Sequence, residues 1–316
     1  MKVLITELMW NDGIEELKKQ GIEVDYHEEL YKDREKLLEI VKYYDAMIVR
    51  NQTKVDQELL KAASHVKVIG RLGVGMDNID IPQLKNKNIK LVYARNANAT
   101  SVAEYVLSAM LTASRPLYLA NVDTKKGNWN RKLFTGSELS GKTLGLIGLG
   151  EIAHRVAKRA ASFGMKVIGY DPFVIDYDLI VSDTGVELER SLNELLSRSD
   201  FVSLHVPLTP DTKHLISDDE LQMMKPAAYL INTSRGGIIS ENALLKALNN
   251  QTIAGAFLDV LEVEPISQDH PFLLCDNAFI TPHISGLTDE SQRRTSVLVA
   301  REVAKILKGK PSLMVL

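Results

Sequence analysis

The stretch TLGLIGLGEIAHRVAKRAASFGMKVIGYDP, residues 143–172, limits the possible folds of this chain more than any other. An apolar run ends in the turn Gly148-Leu149-Gly150-Glu151-Ile152-Ala153, an amphipathic stretch follows, and a second apolar run closes on Asp171. That order reads as strand, glycine turn, helix and strand, the setting in which such a turn holds a dinucleotide. Gly148 permits the tight turn, and Gly150 lets a pyrophosphate approach the backbone. The helix N-terminus, through the amides of Glu151 and Ile152, offers donors and a favourable dipole. The third position needs only a small residue for close helix–strand packing, and Ala153 supplies one. Asp171 stands about 20 residues beyond Gly150, where a carboxylate accepts hydrogen bonds from ribose hydroxyls. It also repels a 2′-phosphate, and no Lys or Arg occurs between Pro172 and Glu189 to hold one. NAD is therefore expected rather than NADP.

The same alternation runs through nearly the whole chain. KVLIT (2–6), AMIV (46–49), KVIG (67–70) and KLVYA (90–94) read as buried strands separated by surface helices. A second series comprises TLGLIG (143–148), KVIGYD (166–171), FVSLHV (201–206), AYLINTS (228–234), IAGAFLDV (253–260) and FITPH (279–283). Strand–helix alternation of this kind implies parallel α/β sheets, here two of them, joined by one long helical stretch over about 101–126. A last amphipathic helix, about 288–307, follows the second series and has no strand of its own to cover. It is expected to cross back and complete the first series, which places the glycine turn in mid-chain because its domain is inserted into the other. Residues 1–98 and 286–316 then form one discontinuous domain, and 99–285 the inserted one.

Composition narrows the class. With 316 residues, 45% hydrophobic and 25% charged, the chain can bury about two domain cores. A net charge of -3 gives no global attraction to nucleic acid or to an anionic membrane. The single cysteine, Cys275, excludes an intrachain disulfide and a cysteine-rich metal site, and no metal is expected. The first residues, MKVLITELMW, lack a signal-peptide pattern, and no apolar run reaches the roughly 18 residues that a membrane span needs. A cytoplasmic protein is expected.

Five of the seven histidines, His27, His65, His154, His214 and His270, fall in helices, loops or segment edges with no paired chemistry in the sequence around them. His205, in SLHVPLTP, ends a strand at the carboxyl edge of the sheet, where ligands bind in such folds, and receives a positional role. His283, in FITPHISG, ends another strand and stands out because FLDVLEVEP and INTSRGG also follow apolar strands.

TSRGG, LDVLEVEP and TPHISG, with GRLGVGMDNID earlier, resemble the D-isomer-specific 2-hydroxyacid dehydrogenases in order and spacing, from about Met47 to Gly309. The resemblance implies a Rossmann-type NAD domain inserted into a flavodoxin-like substrate domain, both doubly wound parallel sheets. It places the catalytic set at Arg235, Glu264 and His283. Each suits the oxidation of a 2-hydroxy acid, which removes a hydride from C2 and a proton from its hydroxyl. The planar guanidinium of Arg235 holds the substrate carboxylate. His283 takes the hydroxyl proton, or returns it in reduction, because imidazole titrates near neutrality. Glu264 orients the ring and stabilises its charged form.

By the same resemblance Thr233 and Ser234 border the nicotinamide end, and Asp259 matches the acid near the carboxamide. Val206 and Pro207 line the adenine side, and Gly286 borders the cofactor. Thr100, in NATSVAE, serves either as a helix cap or as a ligand. Gly73-Val74-Gly75 offers backbone amides to the substrate carboxylate. GNWNRKLFTGSELSGKTLG most resembles D-3-phosphoglycerate dehydrogenases, and Arg50, Arg71 and Arg131 match basic positions associated there with the substrate phosphate. A dianionic end group gives several arginines a common partner, although any one of them serves equally well in a surface ion pair. Arg95, in YARNANATS, departs from the family's usual proline-containing turn and is a further candidate for the substrate pocket.

Oxidation of D-3-phosphoglycerate is therefore the first expectation, in a short form without a C-terminal regulatory domain. Reduction of hydroxypyruvate, glyoxylate or another 2-oxo acid such as sulfopyruvate is the alternative. An NAD-responsive corepressor-like binding protein is a third reading. The expected partners are a small anionic 2-hydroxy or 2-oxo acid and, through residues 101–140, a second copy of the chain.

Overall fold

A computed structural model describes residues 1–316, which divide into two compact units. The first comprises Met1–Asn98 and Leu287–Leu316, and the second Ala99–Gly286. Gly286, read from the sequence as part of the outer domain, falls in the second unit.

The first unit carries β1 (Lys2–Ile5), β2 (Glu23–Tyr26), β3 (Ala46–Val49), β4 (Val68–Arg71) and β5 (Lys90–Tyr93) in the spatial order β2-β1-β3-β4-β5. All its pairings are parallel. Between the strands run α1 (Asn11–Lys19), α2 (Arg34–Ile40), α3 (Gln57–Ala62) and α4 (Ile81–Asn86). Successive strand residues serve opposite cores. Val3, Ile5, Ala46 and Ile48 enter one apolar cluster, while Leu4, Met47 and Val49 enter the other. Burial on both faces explains why these strands read as unbroken apolar runs. β2, with the sequence EVDY, is half polar and gave no such signal, because an edge strand buries less.

The second unit begins with α5 (Ala99–Ser114) and α6 (Leu117–Lys125), followed by β6 (Thr143–Ile147), α7 (Glu151–Ser162) and β7 (Lys166–Tyr170). It continues through α8 (Leu179–Thr184), β8 (Glu187–Leu188), α9 (Leu192–Arg198), β9 (Phe201–Leu204) and α10 (Asp218–Met223). β10 (Tyr229–Asn232), α11 (Glu241–Asn249), β11 (Gly255–Leu258) and β12 (Ala278–Ile280) complete it. Its seven parallel strands lie in the order β12-β11-β10-β9-β6-β7-β8, so the sheet changes direction between β6 and β9. A crevice at the carboxyl ends of these two strands is where an open α/β sheet accepts a ligand.

One further sequence expectation changes. The single helix over 101–126 is two helices, because Pro116 lacks an amide hydrogen and disfavours helical backbone at Arg115. The chain then returns to the first unit in α12 (Asp289–Leu307), where Val299, Ala300, Val303 and Ala304 join the β1–β3 core. Gly70 on β4 permits that packing, since a Cβ there would stand 2.6 Å from Val299 Cγ1.

Candidate active site

In the second unit the glycine turn occupies the β6/β9 switch point. Gly148 has φ +87°, and a Cβ on it would stand 2.7 Å from both the His205 carbonyl oxygen and Val206 Cγ1. Its glycine is thus required by the protein itself. Gly150 is different: a Cβ there would meet nothing within 4 Å. The open space lies above the N-terminus of α7, where a pyrophosphate needs it. Asp171 Oδ2 accepts from the Leu149 amide at 2.9 Å and Oδ1 from Phe173 N–H at 2.9 Å, which fixes the carboxylate beside the turn.

Two further observations fit a bound dinucleotide. His205 Nδ1 and Thr233 Oγ1 are buried polar atoms without a partner. They follow the paired residues Leu204 and Asn232 at the carboxyl ends of neighbouring strands. His205 Nε2 lies 3.0 Å from Ser203 Oγ, and burial pushes the ring's pKa down to about 4. Ser234, in contrast, donates its hydroxyl to the Leu204 carbonyl at 2.6 Å. Val206 and Pro207 follow directly on the same loop. The first helical residue, Glu151, is acidic, and its charge is balanced by Arg155 at 2.6 Å. Arg155 also donates to Thr100 Oγ1 at 3.1 Å, so Thr100 is tied to the cofactor helix rather than serving as a helix cap.

The reactive set assembles on three strand ends of the same unit. After β10, buried Asn232 shapes the turn: its Nδ2 donates to the Arg235 carbonyl at 2.8 Å, and its Oδ1 accepts from Ser234 N–H at 3.0 Å. Gly236 lets this turn meet the segment after β11, because a Cβ on it would lie 2.0 Å from the Leu261 carbonyl. On that segment Glu264 Oε1 accepts from the Leu261 amide at 3.1 Å, and Oε2 lies 2.9 Å from His283 Nδ1. Burial alone would raise the Glu264 pKa. The bonds from His283 and Leu261, with the charges of His283 and Arg235, outweigh it and hold the carboxyl below its usual value.

His283 has φ +55°, an uncommon backbone for a non-glycine residue. Asp259, 1% exposed, organises the loop around it. Its Oδ1 accepts from Thr281 Oγ1 at 2.6 Å and Ile284 N–H at 2.8 Å, and its Oδ2 from Ser285 N–H at 2.8 Å. The Tyr105 hydroxyl lies 2.6 Å from Thr281 Oγ1 and extends the network to α5. Asp259, expected beside a carboxamide, thus spends much of its bonding capacity on the loop that carries His283 and ends at Gly286. With Nδ1 directed at a carboxylate, the imidazole keeps Nε2 for a substrate proton. Arg131 lies elsewhere in this unit, exposed after α6 beside Trp129 and Leu133.

The other expected anion-binding residues belong to the first unit. Val49, Arg71 and Tyr93 are in register on β3, β4 and β5, so Arg50, Arg71 and Arg95 lie along one carboxyl edge. Gly73-Val74-Gly75 follows β4 on that edge. The Arg71 guanidinium folds over the turn, and a Cβ at Gly73 would lie 2.0 Å from its Nη1. Glu7, Asn78 and Arg155 were not legible as functional because their partners lie far along the chain, and Asn232, inside INTSRGG, was passed over although its bonds to Ser234 and Arg235 are local. The histidines set aside earlier also differ from expectation. His27, His154, His214 and His270 each lie within hydrogen-bond or ion-pair distance of a carboxylate, those of Asp25, Asp183, Glu262 and Glu241. What separates His283 is the adjacent Arg235 turn, since a carboxylate neighbour is common.

Fold and site together define a dinucleotide-binding α/β protein with an arginine, a carboxylate and an imidazole at the strand ends of its cofactor unit. Residues 107–285 match the D-isomer specific 2-hydroxyacid dehydrogenase, NAD binding domain. Over 309 residues the chain is 44% identical to a D-3-phosphoglycerate dehydrogenase of Methanocaldococcus jannaschii, covering 98% of this chain and 58% of that protein. It is 41% identical to an (S)-sulfolactate dehydrogenase of Chromohalobacter salexigens, covering 96% and 98%. The crystal structure of TT0316 protein from Thermus thermophilus superposes with a TM-score of 0.91 at 31% identity, covering both chains fully. The chain belongs to the D-isomer specific 2-hydroxyacid dehydrogenase family, and its second unit is of the family's NAD-binding type.

Proposed function

We propose that the protein is an NAD-dependent D-2-hydroxyacid dehydrogenase whose substrate carries a second, strongly anionic end, first of all D-3-phosphoglycerate. The observation that carries the chemistry is the 2.9 Å contact between Glu264 and His283 in the unit that holds Arg235 and the dinucleotide turn. NAD, when bound, supplies the acceptor for the hydride leaving C2. Gly148, Gly150, Glu151, Ile152, Asp171, His205 and Thr233 are the residues proposed to hold it, with Thr100, Val206, Pro207, Ser234, Asp259 and Gly286 bordering them. Arg235 pairs with the substrate carboxylate through two parallel N–H donors. His283 Nε2 removes the proton of the C2 hydroxyl, and the Glu264 carboxylate stabilises the imidazolium that results. In the reverse direction the same nitrogen returns that proton.

The anionic end is assigned to the first unit's Arg50, Arg71 and Arg95, which lie along one carboxyl edge with the Gly73-Val74-Gly75 turn. Sulfolactate is the second reading, favoured by the near-complete coverage of the sulfolactate dehydrogenase. Rates with NADH on phosphohydroxypyruvate, sulfopyruvate and hydroxypyruvate decide between them. The phosphorylated acid is expected to show the highest kcat/KM, and equal values for all three would refute an anionic end group. We further propose a cytoplasmic homodimer. No helix is long and apolar enough to cross a membrane. α6 has no buried residue, and Tyr118 and Trp129 are 76% and 78% exposed, an apolar surface suited to a second copy. Sedimentation equilibrium decides the oligomeric state.

A further inference from the structure

Glu7 follows β1 on the carboxyl edge of the first unit and is 3% exposed. A buried carboxylate is costly unless its oxygens are satisfied, and here they are satisfied by one loop. Oε1 accepts from the backbone amides of Arg50 at 2.8 Å and Thr53 at 2.9 Å, and Oε2 accepts from that of Gln52 at 2.9 Å. Asn78, in the GVGMDNID segment, takes the opposite side of the loop. Its Nδ2 donates to the carbonyls of Thr53 at 2.7 Å and Arg50 at 3.1 Å. The Thr6 and Thr53 hydroxyls lie 2.8 Å apart, and Val55 N–H donates to the Asn78 carbonyl at 2.8 Å. The segment 50–55 is therefore gripped by its donors and by its acceptors.

Glu7 spends its oxygens on backbone and does not form an ion pair with the Arg50 guanidinium. That side chain is partly removed from water, which lowers its pKa, and Glu7's charge opposes the shift. A desolvated cation on a rigid loop, next to a carboxylate whose oxygens are engaged elsewhere, is prepared for an incoming anion. We propose that Glu7 is a positioning residue for substrate binding, which with Asn78 holds the Arg50 loop so that Arg50 meets the anionic end of the substrate. This rests on the proposed function, in which Arg50 belongs to the anion site.

The test is steady-state kinetics on the full chain, with Glu7→Gln, Asn78→Ala, Arg50→Ala and the double variant Glu7→Gln/Arg50→Ala. NAD affinity is read separately by fluorescence titration. Arg50→Ala reads the anion-site assignment. Glu7→Gln keeps shape but replaces an acceptor with a donor facing an amide, and is expected to raise KM for the anionic 2-oxo acid about tenfold. Its kcat is expected to stay within about threefold and its NAD affinity unchanged. In the double variant KM should rise no further than in Arg50→Ala alone, because both changes remove one interaction. Should Glu7→Gln fail to fold, Asn78→Ala releases the loop from its other side and is expected to give the same split. If Arg50→Ala raises KM while folded Glu7→Gln or Asn78→Ala does not, the positioning role is overturned and the anion site stands. An unchanged KM in Arg50→Ala overturns both. Parallel losses of kcat, NAD affinity and KM in the Glu7 or Asn78 variant would show a general structural role, and overturn the inference.

Discussion

At the scale of single residues, burial and bonding decide which candidates carry chemistry. His205 and His283 both follow sheet strands, yet they are opposite in character. His283 is half exposed and bound to a carboxylate, whereas His205 is partly buried, with Nδ1 removed from water, and is held near pKa 4 by desolvation. The second value carries a stability prediction. An unfolded imidazole titrates near 6.5, so below that pH the unfolded chain gains a proton that the folded chain refuses down to about 4. Stability should fall as pH drops through this window, by at most about 3 kcal/mol, and level off below it. His205→Gln should remove that part of the slope in urea titrations run from neutral to mildly acidic pH. An unchanged slope would mean that the ring is protonated in the fold. Of these two roles, the sequence disclosed the positions at strand ends but not the burial, which depends on neighbours brought in by other strands.

Secondary-structure elements and their turns set the geometry between residues. Arg235 and Glu264 come together because Gly236 allows two strand-end turns to meet at backbone distance. Gly236→Ala would drive a Cβ into the Leu261 carbonyl, and such overpacking typically costs about 1–3 kcal/mol. Denaturant unfolding should show that loss, together with a lowered kcat as the Arg235 turn moves from Glu264. A variant as stable and active as the parent would show that the contact is unimportant. The motif TSRGG made the glycine pair visible, but its reason lies in a segment about 25 residues further on, which no local pattern reveals. Elements with strong apolar periodicity were legible to within a residue or two, as in β3 and α12. The polar edge strands β2 and β8 and the short helices α4, α8 and α10 were not, since their stability comes from tertiary contacts rather than from their own pattern.

Over the whole molecule, the chain leaves its first unit, builds a second of seven parallel strands, and returns in α12 to bury Val299 and Val303 against the starting sheet. The return was legible because that helix had no strand left to cover. The motifs proposed to hold the dinucleotide and to move the proton were visible too, over 100 residues apart at their extremes. The loop clamps at Glu7 and Asn78 were not, because each is a lone side chain whose partners the fold supplies. In the proposed function the glycine turn holds the cofactor while His283, bound to Glu264, moves the proton. The direct measurement is kcat and NAD dissociation constant in His283→Ala beside the parent, using the acid that the parent prefers. A fall in kcat of about 10²–10⁴-fold with NAD affinity unchanged is the predicted result. Turnover close to that of the parent would rule out His283 as the proton-transfer group.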